Sequence, residues 1–111
     1  MEIDIANNIK AVELLKVELL RSVTDLFGDI SAEADGETEV RVAGDAADII
    51  SMTYLLCRRL GIDSSLVTSL MSKKLETEIE DGHILERRFG DLSSLLREIR
   101  GENFCDEKYE G

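Results

Sequence analysis

Apolar residues recur at helical spacing along most of the chain. Ile5, Ile9, Val12, Leu19, Val23, Leu26 and Ile30 follow steps of three, four and seven, which predicts a first α-helix from near Asp4 to about Phe27. Leu15, Leu20 and Phe27 widen this face, and Lys16 alone interrupts it, its stem lying along the seam while the ammonium reaches an edge. Leu14 and Val17 project outside the stripe, so they call for a separate partner, a second copy being the simplest. Val42, Ala46, Ile49, Thr53, Leu56 and Leu60 predict a second helix, opened by Thr38 as its cap and stopped at Gly61, where Ile62 folds back. Asp63 can then cap a third helix whose buried positions are Leu66, Val67, Leu70, Met71, Leu75 and Ile79, and which Gly82 ends. From His83 to Phe89 there is no clean period, but Gly90 and Asp91 announce a short last helix through Ile99. The predicted fold is all-α: an antiparallel bundle of three longer helices plus a short C-terminal helix, completed by oligomerisation. Residues 1–100 form the domain, and 101–111 read as a disordered acidic tail.

Composition narrows the function. A chain of 111 residues suits one domain. The formal charge of -11, from 24 acids and 13 bases, repels a phosphate backbone and argues against a nucleic-acid partner. An anionic nucleotide remains compatible if a divalent metal bridges it to the acids. Cys57 and Cys105 belong to no CxxC or Cys/His cluster, so neither a disulfide framework nor a zinc site is expected, and Cys57 reads as a small core residue. His83, the lone histidine, has no ligand-spaced partner and reads as an exposed loop residue. No run resembles a signal peptide or approaches the roughly 20 apolar residues that span a bilayer, so a soluble cytoplasmic protein is expected. P-loop, G-x-S-x-G and dinucleotide fingerprints are missing.

The acids carry the candidate chemistry. Asp45 and Asp48 stand one turn apart beside an apolar stripe, where carboxylates are costly unless a cation or hydrogen bonds satisfy them. The segment Gly28–Glu39 holds five acids and invites a calcium-loop reading, but with Gly36 as the turn glycine, Ser31 and Val42 fall where ligand carboxylates are required. It reads as a solvated linker. If the first two helices pack in register, Glu18 converges on Asp45 and Asp48, and three carboxylates suit magnesium. The competing expectation is a surface charge network in which Arg21, Arg41 and Arg59 pair with Asp45, Asp48 and Glu18.

Over roughly Ile5 to Leu96 the chain resembles the MazG-like branch of the all-α nucleoside triphosphate pyrophosphohydrolases. That family is marked by E-x-x-E on one helix and E-x-x-D on the next. Here the second element reads Asp45-Ala46-Ala47-Asp48, followed by the family-like run IISMTYLLCRRLGID; Glu18 fits the opening of the first, and Arg21 stands where its second glutamate is expected. The resemblance implies magnesium or manganese held by Glu18, Asp45 and Asp48, and hydrolysis of a nucleoside triphosphate to monophosphate and pyrophosphate by a metal-activated water. It further implies phosphate contacts from Arg58, Arg59, Lys73 and Lys74; the uncovered Leu14 and Val17 separately lead to the expectation of a homodimer or larger homo-oligomer. The cation at Arg21 leaves a second expectation open, a catalytically impaired relative that binds a nucleotide or a protein.

Overall fold

The computed structural model describes residues 5–101 as five α-helices, with no strand among the described residues. The expected start at Asp4, the tail from residue 102 and Cys105 lie outside the described residues. Helix α1 spans Ile5–Ser31, α2 Thr38–Arg59, α3 Ser64–Glu80, α4 Ile84–Phe89 and α5 Asp91–Arg100. The all-α expectation holds. No described helix is long and apolar enough to cross a membrane. The chain divides after Ser64 into two compact units.

The first unit is the α1–α2 pair. Two contacts fix these helices antiparallel: Asn8 Nδ2 donates to the Arg59 carbonyl (3.0 Å) at one end, and Arg41 Nε lies 3.6 Å from Asp29 Oδ1 at the other. Helix α1 continues a full turn past Phe27, because Gly28 stays helical and its carbonyl accepts from Ala32 N (3.0 Å). Thr38 is the first residue of α2 rather than its cap; its hydroxyl accepts from Asp35 N (2.8 Å), while Asp35 Oδ1 accepts from Glu37 N (2.8 Å). The end of α2 follows the sequence reading. Gly61 at φ +80° donates to the Arg58 carbonyl (3.0 Å) and Ile62 N to the Cys57 carbonyl (2.8 Å), a Schellman closure.

Between the helices, Val12, Leu15, Leu19, Val23 and Leu26 are half-buried, as are Val42, Ala46, Ile49 and Leu56 opposite them. Several residues expected in this seam instead face outward: Ile5, Ile9, Leu20, Phe27 and Ile30 on α1, with Thr53 and Leu60 on α2. Leu14 and Val17 are exposed as expected, and Lys16 reaches Glu13 (3.0 Å). Helix α1 is therefore apolar on more surface than α2 can cover.

The second unit, α3 to α5, holds the buried hydrophobic residues: Leu75, Leu92 and Leu96, with Ile79 and Ile99 packed against them. Leu66, Leu70 and Met71, expected to be buried, are exposed. The aperiodic segment contains α4, which His83 opens by accepting from Leu85 N at Nδ1 (3.1 Å); the imidazole is half-buried and caps a helix, contrary to the exposed-loop reading. Gly90, in the left-handed conformation, ends α4 and begins α5, so Asp91 is the first residue of α5 and not its cap. Glu86 of α4 accepts from both the N–H and the hydroxyl of Ser93, which satisfies a backbone N–H in the first turn of α5 and holds the Glu86 carboxyl below its ordinary range. Arg100 pairs with Glu76, tying α5 to α3.

Two glycines give opposite expectations. A Cβ at Gly61 meets nothing within 4 Å, so Gly61→Ala costs only the left-handed backbone, about 1–2 kcal/mol. Gly28 is helical and equally open, so Gly28→Ala stabilises by about 0.5–1 kcal/mol. Urea denaturation of both variants checks the signs.

Candidate functional site

Counting outward from the loop between Ser31 and Thr38 places Asp25 and Ser22 of α1 opposite Asp45 and Asp48 of α2. The electrostatics agree with this register. Asp45 is half-buried on the face of α2 that meets α1, and its Oδ2 is sealed from solvent with no group donating to it. The groups acting on it most are acids. A hydrogen bond shared with Asp29, then desolvation, then the charges of Asp29, Asp25 and Asp48, push the Asp45 carboxyl up to about 6.

Local rules make these positions unfavourable. Asp29 sits in the last turn of α1, where the helix dipole is negative, and that turn carries no base. Asp45 lies beyond the first turn of α2, too far along to serve the positive end. Residues 25–48 contain eight acids and a single base, Arg41. That end of the hairpin is therefore strongly cation-attracting.

The sequence-predicted residues distribute unevenly. Asp45 and Asp48 come together, Asp48 exposed and Asp45 inward. Glu18 is half-buried seven residues before Asp25, about 10 Å of helix rise away, and is not among the groups acting most on Asp45. Arg59 lies eleven residues past Asp48, about 16 Å along the helix, with its Nη1 turned to Asn8 Oδ1 (3.5 Å). Arg58 lines a separate hollow of about 350 Å³ with Tyr54, Ile62 and Asp63 at that far end. Lys73 and Lys74 are exposed on α3, in the second unit. Cys57 is a half-buried free thiol. Among the described residues no ion pair joins Arg21 or Arg59 to Glu18, Asp45 or Asp48; the arginine that enters the network is Arg41, paired with Asp29 (3.6 Å) and Asp35 (3.2 Å).

Asp25 and Asp29 are the functional candidates that stripe reading misses. Their signal was available in hairpin arithmetic. Ser22-Val23-Thr24-Asp25 has the E-x-x-E spacing and lies level with Asp45-Ala46-Ala47-Asp48, with a buried serine at its first position.

Among the described residues no three His, Cys, Asp or Glu side chains are gathered to hold a metal as they stand. Magnesium does not require that. It keeps several waters and takes one or two carboxylates plus substrate phosphates, a demand that Asp45, with its orphaned buried oxygen, and Asp29 beside it can meet.

A helical hairpin with aspartates facing across its seam defines an all-α, acid-lined class of site. The chain matches the MazG-like family over residues 5–92 and belongs to that family. No curated protein and no solved structure matches it.

A carboxyl whose folded pKa is raised binds its proton more tightly in the folded state, so it costs stability as pH rises from about 4 to about 6. Asp45→Asn removes that loss. The metal-free variant is expected to melt above the wild type at pH 7, with the difference shrinking toward pH 4. Melting curves at both pH values check it, and a lower midpoint at pH 7 would contradict the crowding.

Proposed function

We propose that this protein is a magnesium-dependent nucleotide pyrophosphohydrolase acting on a nucleoside triphosphate. The observation that carries the reading is Asp45: a carboxylate oxygen buried between two helices, lacking a donor and surrounded by acids, in a chain of the MazG-like family. Asp45 and Asp29 would hold the cation, with Asp25 and Asp48 near enough to accept hydrogen bonds from its waters. When bound, the ion neutralises phosphate charge and acidifies a water that can attack a phosphoanhydride. The chain's own contribution is electrostatic. Eight acids around one base repel a free triphosphate, so productive binding requires the metal complex and admits it in one orientation, metal toward Asp45.

Self-association belongs to this proposal. Leu20 and Phe27 are 69% and 63% exposed, and Ile5, Ile9 and Ile30 are more than half exposed, on a helix whose inward face is already paired. A second copy laid against α1 would remove that surface from water. Arg41 is already engaged by Asp29 and Asp35, so phosphate contacts from other bases, Lys73 and Lys74 among them, would come with the assembled form.

One observation favours a second reading. Arg21 stands where the family's second glutamate is expected, and a cation in place of that acid suits a protein that binds a metal–nucleotide complex without cleaving it. Both readings meet in one assay: purified protein with canonical and modified triphosphates and magnesium or manganese, scored for pyrophosphate and for nucleotide binding. Hydrolysis is expected. Asp45→Asn should reduce it at least about 100-fold, since loss of even outer-shell partners of metal ligands costs about 10–100-fold. Tight binding without pyrophosphate would select the second reading, and neither would reject both.

A further inference from the structure

We infer that Arg41 is a positioning residue that anchors Asp29 at the Asp45 site by tying it to the α1–α2 loop. This rests on the metal-binding reading given above. Arg41 is the only base among residues 25–48 and precedes Asp45 by one turn of α2, so the two share a face. Its guanidinium divides between two carboxylates. Nη2 donates to Asp35 at 3.2 and 3.4 Å, and Nε lies 3.6 Å from Asp29 Oδ1.

Asp35 is itself fixed. It accepts from Glu37 N (2.8 Å) and from the Thr38 hydroxyl (3.4 Å), and its own N–H donates to that hydroxyl (2.8 Å). The Glu37 N–H foremost, and then the charge of Arg41, hold the Asp35 carboxyl below its ordinary value. The loop thus presents a rigid anion to one side of the guanidinium fork. The other side restrains Asp29, which sits in the last turn of α1 with an unfavourable dipole and the Asp45 carboxyl beside it. Without a counter-charge Asp29 would swing to solvent. Its side chain is 29% exposed, so such a rotation is open to it.

A guanidinium can serve both carboxylates because its donors form a fixed planar fork, whereas a lysine ammonium is a point charge on a flexible stem. Charge and fork are therefore separable. Manganese binding to the full chain, followed by electron paramagnetic resonance or calorimetry, is the test. Arg41→Lys keeps the charge and loses the bridge; Asp35→Asn keeps Arg41 and removes its loop anchor. Each is expected to weaken manganese binding about 10-fold, as for partners that orient a metal ligand, with helical content retained. Unchanged affinity in both variants would overturn the role of Arg41 alone. Tighter binding in both would also overturn it, showing the arginine to be a competitor for the cation's place. A wild-type protein that binds no manganese would overturn the metal-site reading together with this inference.

Discussion

Asp45 is the constraint around which the first unit is organised. A carboxylate placed on the inward face of a helix, with one oxygen cut off from water and no donor turned toward it, is a debt that the polypeptide leaves open. Packing the helices antiparallel deepens it, because that register brings the charges of Asp25 and Asp29 to bear on it. The protein can answer by keeping a proton on the site or by taking up a cation.

The two units are held in different ways. The buried hydrophobic side chains among the described residues are confined to the second unit, where Leu75, Leu92 and Leu96 meet. The α1–α2 hairpin has a half-buried seam and an uncovered apolar flank. Its ends are secured by polar links instead: Asn8 to the end of α2, and Arg41 between the loop and the end of α1. The acid site lies at the second of these ends. Local rules are broken there, at Asp29 and Asp45, which is where a sequence that is otherwise consistent is expected to compromise for function.

Much of the architecture was legible in the sequence because glycine punctuates it. Gly61 and Gly82 stop α2 and α3 in the left-handed conformation. Gly28 misled in the other direction, since a glycine inside a helix carries the same letter as one that ends it. Helix α4 was hidden because six residues are too few to show a period, and its cap comes from an imidazole rather than a hydroxyl or carboxylate. Burial along α1 and α3 is less than the spacing implies for a physical reason: periodicity reports which side chains are apolar, not which of them a neighbouring helix covers. At the site, Asp45 and Asp48 stood out against their apolar stripe. Asp25 and Asp29 did not, because their relevance depends on the register across the solvated loop, which no stripe on either helix reports.

Carboxyl carbon NMR resolved at Asp45, recorded against pH with and without magnesium, tests the central claim most directly. The account predicts titration near 6 in the metal-free protein, as the crowding by Asp29, Asp25 and Asp48 requires. Saturating magnesium should carry that transition well below its metal-free position. Titration near the ordinary value of 3.8, unmoved by the metal, would show that the carboxylates neither crowd one another nor hold a cation.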